Sequence, residues 1–285
     1  KALSELSLKI ETNSIFGLLG PNGAGKSTLI NMIAGLTNKS SGSISICGCD
    51  QDQYPEKSRS FVGVVPQELN LDPFLTPKEA LDIQAGLFGV SKGNRKTLEI
   101  LEKVGLADVK NAYARSLSGG MRRRLLIAKA LVHSPSILIL DEPTAGVDIE
   151  LREMLWEYIF ELRSMGTTII LTTHYLEEAQ KVCDQIGILN KGTLVEYGET
   201  SVLLRQIKNK VLIIQPSKKI SKIPKFPSSV SATIRTDGTL QLSFDRSVIS
   251  TEEVINFCRT DNFSIKDLVT SEPALEDVFR LATKN

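Results

Sequence analysis

A glycine-rich segment near the start of the chain constrains its fold more than any other feature. Residues 20–27 read GPNGAGKS and match the phosphate-binding pattern G-x-x-x-x-G-K-[ST]. The apolar residues 14–19 before it predict a strand, and residues 28–36 after it predict a helix. Glycines let backbone N–H groups turn inward around phosphate oxygens, and a helix N-terminus adds a partial positive charge. The context favours a phosphate site over a ligand-free turn.

This loop identifies the residues of a predicted nucleotide site. The Lys26 ammonium is expected to bridge the β- and γ-phosphates of the nucleotide, and the Ser27 hydroxyl is expected to bind Mg²⁺. The predicted nucleotide-binding residues are Gly20, Pro21, Asn22, Gly23, Ala24, Gly25, Lys26, Ser27 and Thr28.

A second predicted part of the site lies much further along the chain. Residues 137–140 are four apolar residues in a row, which is typical of a strand buried on both faces. This strand would end at Asp141 and Glu142, and open α/β sheets bind ligands at the carboxyl ends of their strands. We expect Asp141 to hold Mg²⁺ through water and Glu142 to orient or deprotonate an attacking water. The alternative is a pair of solvated carboxylates, which the upstream phosphate loop disfavours.

Strand-like and helix-like segments alternate through the first two thirds of the chain. Further strands are predicted at residues 43–47, 62–65, 168–172 and 186–189. Helices are predicted at residues 121–133, 151–164 and 176–182, and a helical stretch at 75–109. Strands separated by helices indicate an α/β fold with a mostly parallel sheet.

The character of the sequence changes near residue 210. Residues 208–225 hold six Lys together with Pro216 and Pro224, which favours a surface strand and loop over a core strand. Residues 231–244 alternate around Asp237-Gly238, a strong hairpin signal, and helices are predicted at 251–259 and 274–282. We therefore predict two domains, 1–210 and 211–285, of which the second is a small α+β accessory domain.

Composition argues against several classes of protein. Lys and Arg number 34 and Asp and Glu 33, so no global basic field draws the chain to nucleic acid or to anionic lipid. No stretch approaches the roughly 18 apolar residues of a membrane-spanning helix, and we find no signal-peptide pattern. The 4 cysteines are too few for a disulfide scaffold and favour reduced thiols.

A second glycine-rich segment, residues 117–121 (LSGGM), opens the helix predicted at 121–133. Small residues expose backbone N–H groups at this helix N-terminus, and Ser118 adds a hydroxyl, so the segment is a candidate phosphate site. Because the first loop already serves one nucleotide, two half-sites suggest a dimer that closes each site in trans. The alternative is an ordinary serine N-cap with a glycine-rich entry turn.

In this order, the motifs resemble those of the ATP-binding subunits of ABC transporters, and the resemblance covers residues 1 to about 200. The matching positions are residues 20–27, Gln67, residues 117–121, Asp141-Glu142, Asp148 and His174. Met121, Glu177-Glu178 and the ending LEDVF at 275–279 are similar to a subgroup of bacterial exporters of drugs, polysaccharides or lipids, whose membrane subunit is a separate polypeptide. Met121 stands where the family more commonly has Gln.

The resemblance implies a role for each matching residue. The implied catalytic residues are Glu142, His174, which would hold the γ-phosphate, and Gln67, which would also sense the membrane subunit. The implied Mg²⁺ ligands are Ser27, Gln67 and Asp141. The implied signature that acts in trans is Ser118, Gly119, Gly120 and Met121, and Asp148 would contact the opposite protomer. The alternatives are that Gln67 is an ordinary polar residue at the surface, that His174 caps a helix and that Asp148 is a helix N-cap.

The resemblance also implies the architecture and the partners. It implies a P-loop NTPase core with a mostly parallel sheet, an antiparallel β portion and a helical subdomain at about 68–135. It implies an ATPase that uses ATP and Mg²⁺, forms an ATP-sandwich dimer with a second copy of itself, and drives a separate multi-span permease. Residues 68–89 would form the groove that meets the permease, at the cytoplasmic face of the inner membrane.

One family feature is not found in this chain. The family stacks adenine on an aromatic residue upstream of the phosphate loop, whereas the first aromatic here is Phe16, in the strand that enters the loop. We therefore expect the stacking residue to precede Lys1. The transported substrate cannot be predicted, because its contacts would lie in the membrane subunit.

Two rival functions belong to other classes. A soluble ABC-type ATPase that acts on nucleic acid or ribosomes usually carries a coiled-coil insertion, zinc cysteines or two cassettes, but Gln67 and Ser118 are only 51 positions apart. A pure binding module without hydrolysis is disfavoured because Lys26, Glu142 and His174 are all present. Co-purification with a multi-span membrane protein would test the first rival, and a phosphate-release assay the second.

Overall fold

The chain divides into two compact units, Lys1–Glu199 and Thr200–Asn285. The computed structural model describes residues 2–145, 149–218, 223, 225–260, 264–271 and 274–283. The sequence placed the domain boundary near residue 210, which falls inside a strand of the second unit. Within the described residues, no helix combines the length and the apolar character that crossing a bilayer requires.

A six-stranded sheet forms the centre of the first unit. In sheet order its strands are β4 (Val62–Val65), β5 (Ile137–Asp141), β6 (Thr168–Thr172), β1 (Ile15–Leu19), β7 (Gln185–Asn190) and β8 (Thr193–Glu199). The first five are parallel, and β8 pairs with β7 in the antiparallel direction. All residues of β1 and β6 are buried, as expected for central strands with both faces covered. The predicted mostly parallel sheet is confirmed.

Helices follow the strands of this sheet. They are α1 (Lys26–Ile33), α2 (Pro55–Ser60), α3 (Pro77–Leu87), α4 (Thr97–Lys103), α5 (Gly119–Leu131), α6 (Ile149–Ser164) and α7 (Leu176–Val182). A short antiparallel pair, β2 (Ser45–Ile46) and β3 (Cys49–Asp50), lies between α1 and α2 in the sequence. With β8, this pair supplies the antiparallel portion that the family resemblance implied.

Helices α3, α4 and α5 share a hydrophobic core of their own. Leu81, Leu101, Leu106 and Leu125 are fully buried in it. Helix α3 begins with a capping box, in which the Thr76 hydroxyl accepts a hydrogen bond from Glu79 N and the Glu79 carboxylate accepts one from Thr76 N. This cluster occupies the range in which the sequence predicts a helical subdomain, and it positions the N-terminus of α5.

The second unit is built on a four-stranded antiparallel sheet. Its strands are β9 (Asn209–Pro216), β10 (Val230–Ile234), β11 (Leu240–Asp245) and β12 (Ile265–Ser271), in the order β10-β11-β9-β12. Its helices are α8 (Thr200–Arg205), α9 (Thr251–Thr260) and α10 (Leu275–Thr283). The predicted hairpin is present, with Gly238 at a φ of 82° between β10 and β11.

The expectation of a surface strand at residues 208–225 is wrong for β9. This strand lies inside the sheet, between β11 and β12, and Leu212 and Ile214 are fully buried. The lysines that suggested a surface segment flank the apolar run VLII, and Lys210 is the only one within the strand. The apolar run rather than the flanking charge therefore decides where the strand lies.

Candidate nucleotide-binding site

The glycine-rich loop at 20–27 joins the end of β1 to the start of α1. Its last glycine, Gly25, is the N-cap of α1 with a left-handed φ of 105°, and no side chain caps the helix. A Cβ atom at Gly25 would lie 2.7 Å from Leu3 Cδ2 and 2.9 Å from Ala2 O, so both the conformation and the space require glycine. The N-terminal N–H groups of α1 are thus free of a side-chain cap, as a phosphate site needs.

Lys26 lies across this loop. Its ammonium donates hydrogen bonds to Gly20 O at 2.7 Å and to Pro21 O at 3.1 Å. Burial lowers the pKa of Lys26 from its ordinary value, while the charges of Glu142 and Asp141 act in the opposite direction. The cation and the two carboxylates predicted from separate motifs therefore share one electrostatic environment.

The two carboxylates lie at the C-terminal end of β5, as predicted, and both residues form hydrogen bonds with the neighbouring strand β6. Asp141 is the last residue of β5, and its carboxylate accepts a hydrogen bond from the Thr172 hydroxyl at the end of β6. Glu142 N donates to Thr172 O at 3.2 Å and to Thr172 Oγ1 at 3.1 Å. Glu142 has a φ of 49°, an uncommon conformation that costs about 1–3 kcal/mol and that functional sites often contain.

The three predicted catalytic residues meet at the Glu142 carboxylate. Gln67 Nε2 donates a hydrogen bond to Glu142 Oε2 at 3.0 Å, and His174 Nδ1 lies 3.4 Å from Glu142 Oε1. The His174 ring also packs on Tyr175, with ring centroids 4.1 Å apart. Sequence positions 67, 142 and 174 are far apart in the chain, so the fold alone brings these side chains together.

The second glycine-rich segment opens α5 at the surface. Ser118 is the N-cap, and its hydroxyl oxygen accepts a hydrogen bond from Met121 N at 3.2 Å. Ser118 and Gly119 are exposed. The N-cap alternative is therefore correct as a description of local structure. It is compatible with a phosphate contact, because a serine hydroxyl that accepts one bond still has a proton to donate. Asp148, the predicted dimer contact, lies outside the described residues.

The residues predicted to bind Mg²⁺ suit a hard cation. Ser27, Gln67 and Asp141 offer hydroxyl, amide and carboxylate oxygens, which Mg²⁺ prefers. Within the described ranges, no three His, Cys, Asp or Glu side chains are grouped closely enough to hold a metal. Mg²⁺ usually keeps several waters and takes substrate phosphates as ligands, so it needs few protein ligands.

A separate groove lies against β4 and α5. Its cavity volume is about 780 Å³, and its lining includes Arg59, Leu87, Phe88, Lys129 and His133. Phe88 stacks face to face on His133, with ring centroids 3.7 Å apart and an angle of 1° between the rings. Burial lowers the pKa of His133 below its ordinary value. Leu87 and Phe88 are 77% and 38% exposed, so the groove has an exposed apolar rim.

Two buried residues of this site, Thr172 and Arg123, were not predicted from the sequence. Arg123 lies within α5, is only 5% exposed, and donates hydrogen bonds to the backbone carbonyls of Gln67 and Glu142. Nothing in the run Arg122-Arg123-Arg124 distinguishes it from its neighbours.

A glycine-rich loop between a parallel strand and a helix, with carboxylates at the end of a neighbouring strand, defines the class of P-loop nucleotide hydrolases. A family model described as "ABC transporter" matches residues 3–145. The chain belongs to the ABC transporter family, as an ATP-binding subunit.

Curated relatives carry exporter names. Nod factor export ATP-binding protein I of Cupriavidus metallidurans is 42% identical over 204 residues, which are 71% of this chain and 67% of the relative. For the protein of the same name from Cupriavidus pinatubonensis, the match spans 63% of the relative. The chain thus spans about two thirds of these relatives. Linearmycin resistance ATP-binding protein LnrL of Bacillus subtilis is 35% identical over 282 residues, 96% of this chain and 91% of the relative.

Solved structures agree with this assignment. An ATP-binding subunit of an ABC transporter superposes with a TM-score of 0.66 at 30% identity, covering 72% of this chain and 86% of that chain. A dimeric ATP-binding cassette in a post-hydrolysis state, bound to ADP and Pi, superposes with a TM-score of 0.62 at 28% identity, covering 70% of this chain and 90% of that chain. The predicted family, fold class and ATPase activity are confirmed.

Proposed function

We propose that two copies of this chain bind two Mg-ATP molecules at a shared interface and couple their hydrolysis to a separate multi-span permease. The single observation that carries this proposal is the meeting of Gln67 and His174 at the Glu142 carboxylate, in the electrostatic environment of Lys26. A surface that only bound nucleotide would have no need for a carboxylate placed in this way.

Hydrolysis in this proposal depends on positioning more than on covalent chemistry. Glu142 orients the attacking water and accepts its proton, because its carboxylate is the only acidic group to which Gln67 and His174 both reach among the described contacts. Gln67 fixes one carboxylate oxygen by its amide N–H. His174 faces the other oxygen and holds the γ-phosphate as charge moves onto it.

The nucleotide phosphates lie in the glycine-rich loop, against the uncapped N-terminus of α1. Lys26 exchanges its bonds to Gly20 O and Pro21 O for the β- and γ-phosphate oxygens. Ser27, Gln67 and Asp141 are the residues that would hold Mg²⁺, with water between Asp141 and the metal. When bound, Mg²⁺ neutralises charge on the β- and γ-phosphates.

The second copy completes each site. The exposed Ser118–Gly119 end of α5 offers N–H groups to a phosphate, yet its own chain already has a complete phosphate loop at α1. Ser118, Gly119, Gly120 and Met121 therefore act on the ATP held by the opposite protomer, and Asp148 contacts that protomer. The dimeric cassette that this chain resembles supports the arrangement.

The groove beside α5 is the proposed contact with the permease. Gln84, Leu87, Phe88 and Gly89, which line it, fall in the segment 68–89 expected to meet the membrane subunit. Its exposed apolar rim suits an amphipathic helix of a partner. The chain would then act at the cytoplasmic face of the membrane, as a peripheral subunit. The names of its relatives, a Nod factor export protein and a linearmycin resistance protein, support a role in export.

If the neighbouring reading frame encodes a multi-span membrane protein, co-expression with that protein tests the proposal. We expect the two to purify together and the permease to stimulate phosphate release. Leu87→Asp places a charge on the groove rim and should abolish co-purification. Leu98→Asp is the matched control, because Leu98 is also exposed but lies outside the groove. Equal co-purification of both variants would refute the groove as the permease contact.

A further inference from the structure

The Arg123 guanidinium uses every one of its donors on backbone carbonyls. A guanidinium has five N–H groups, and the structure gives each of them one acceptor. Nε donates to Pro143 O at 3.2 Å, Nη1 to Pro66 O at 2.9 Å and Gln67 O at 2.8 Å, and Nη2 to Asp141 O at 3.0 Å and to Glu142 O.

These five acceptors belong to two segments that are distant in sequence. Pro66 and Gln67 follow β4, whereas Asp141 ends β5 and Glu142 and Pro143 follow it. Beyond the strand ends the sheet no longer pairs the two segments, because the β4–β5 ladder stops at Val65 and Leu140. The strands β4 and β5 are joined by backbone hydrogen bonds as far as this point. Beyond it, the Arg123 side chain joins the two segments.

The same two segments carry the side chains that meet at the catalytic carboxylate. Gln67 Nε2 and Glu142 Oε2 are 3.0 Å apart, and Arg123 bonds to the carbonyl of each of these residues. A hydrogen bond weakens steeply with small changes of distance and angle. The separation of the two backbones consequently decides whether the amide of Gln67 reaches Glu142.

No other residue type can make this connection. Lysine has three donors on one nitrogen and would leave at least two of the five carbonyls without Arg123's bonds. The neighbouring arginines point elsewhere: Arg122 Nη2 donates to Arg115 O, and Arg124 Nη1 donates to Val104 O and Gly105 O. Burial lowers the pKa of Arg123, while Asp141 and Glu142 act against this change, and an arginine remains charged in proteins.

We propose that Arg123 is a positioning residue for ATP hydrolysis, which sets the distance between Gln67 and Glu142 and so aims the Glu142 carboxylate at the attacking water. This inference rests on the proposed function, since it assumes that Glu142 acts on that water.

The test compares arginine variants of one helix. Phosphate release at varied ATP gives kcat and KM, a fluorescent ATP analogue gives nucleotide affinity, and thermal melting reports folding. Arg123→Gln should lower kcat roughly 10- to 100-fold and change KM and nucleotide affinity by less than about threefold. Arg123→Lys should recover part of kcat. Arg124→Gln, which loses two carbonyl bonds outside the site, should keep kcat within about twofold.

A double-mutant cycle separates positioning from general weakening. Once Arg123 is removed, the Gln67 amide no longer reaches Glu142, so Gln67→Ala should cost little more in the Arg123→Gln background. If the fold losses of kcat in the two single variants multiply in the double variant, the proposal is overturned. An unchanged kcat in Arg123→Gln would also overturn it. If Arg123→Gln does not fold, the cycle of Arg123→Lys with Gln67→Ala decides by the same criterion.

Glu142→Gln distinguishes failure of this inference from failure of the proposed function. Normal hydrolysis by Glu142→Gln would remove the proposed function, and the role of Arg123 with it. An inactive Glu142→Gln together with multiplying losses at Arg123 and Gln67 would leave the proposed function standing and reject the positioning role alone.

Discussion

Helices α1 and α5 both begin after a glycine-rich segment, but their N-termini are completed in different ways. The N-cap of α1 is Gly25 in a left-handed conformation with no side-chain cap, and Lys26 occupies the first helical position. The N-cap of α5 is Ser118 in an extended conformation, whose own hydroxyl accepts a bond from Met121 N. The first terminus leaves donors and a cation for a ligand, whereas the second satisfies one of its own donors and has its first basic residue only at the fourth helical position, Arg122.

Helix N-termini that follow a glycine-rich segment are therefore not equivalent as binding sites. The α1 terminus has the charge and the open N–H groups to hold a triphosphate by itself. The α5 terminus is stable without a ligand, so it is suited to add a few contacts to a phosphate that another chain holds.

The largest expected effect follows from removing the Glu142 carboxylate. Glu142→Gln keeps the shape of the side chain but cannot accept a proton, so hydrolysis should fall roughly 10²-fold or more. Nucleotide should still bind at α1, and ATP should now hold the dimer closed with both termini engaged. Phosphate release and size-exclusion chromatography with ATP measure these outcomes. Near-native turnover would remove Glu142 from its proposed role.

Lys26→Ala tests the α1 terminus alone. It removes the ammonium from the β- and γ-phosphates, and a bond to a charged group is worth about 1.5–3 kcal/mol, or roughly 10- to 100-fold in affinity. Calorimetry with ATP measures the loss. Lys181→Ala, which removes an exposed lysine outside the loop, serves as a control. An unchanged ATP affinity in Lys26→Ala would contradict the assignment of the loop.

Ser118→Arg tests the α5 terminus, and its effect should appear only in the dimer. Nucleotide affinity of the single chain should stay near normal, while hydrolysis by the homodimer falls. If Ser118→Arg and Lys26→Ala chains are mixed in equal amounts and pair at random, half of the dimers contain one chain of each kind. Each of these mixed dimers would have one intact site. Activity should then return to about a quarter of the wild-type value. Normal hydrolysis by Ser118→Arg alone would reduce Ser118 to a helix cap.

The smallest effect is expected outside this comparison. A chain that ends at Glu199 keeps both helix termini and the whole six-stranded sheet, so its ATP affinity should change by less than about threefold. A chain that ends at residue 210 is a useful second version, because that cut falls inside β9. Complete loss of ATP binding in a folded chain of 199 residues would show that the second unit contributes to the site.

Much of the first unit could be predicted because its strands are short apolar runs. The bounds of β4 and β6 were predicted to the residue, and β5 to within one. Strand β8 was not predicted, because its side chains are alternately exposed and half-buried and form no apolar run. Its position follows from pairing with β7, which is a tertiary contact that the local pattern does not contain.

The site shows a similar limit. Motif spacing predicted which residues matter at Lys26, Asp141 and Glu142, and the fold brought Gln67 and His174 to the same carboxylate. Arg123 could not be predicted, since it lies between two identical residues and only its burial separates them. Helical periodicity turns successive side chains by about 100°, so three adjacent arginines reach three different surroundings.

The five hydrogen bonds of Arg123 anchor α5 closer to its N-terminal end than to its C-terminal end. At about 1.5 Å per residue, Arg123 lies about 6 Å from Gly119 and about 12 Å from Leu131. Near its C-terminal end, α5 contacts β4 closely, because a Cβ atom at Gly63 would lie 2.3 Å from Ala130 O. Lys129 and Ala130, in the same part of α5, line the groove. If α5 tilted as a rigid rod about Arg123, its Leu131 end would move about twice as far as its Gly119 end. If a phosphate held by the proposed second copy displaced Gly119 by about 1 Å, Lys129 and Ala130 at the groove would then move by about 1.5–1.8 Å.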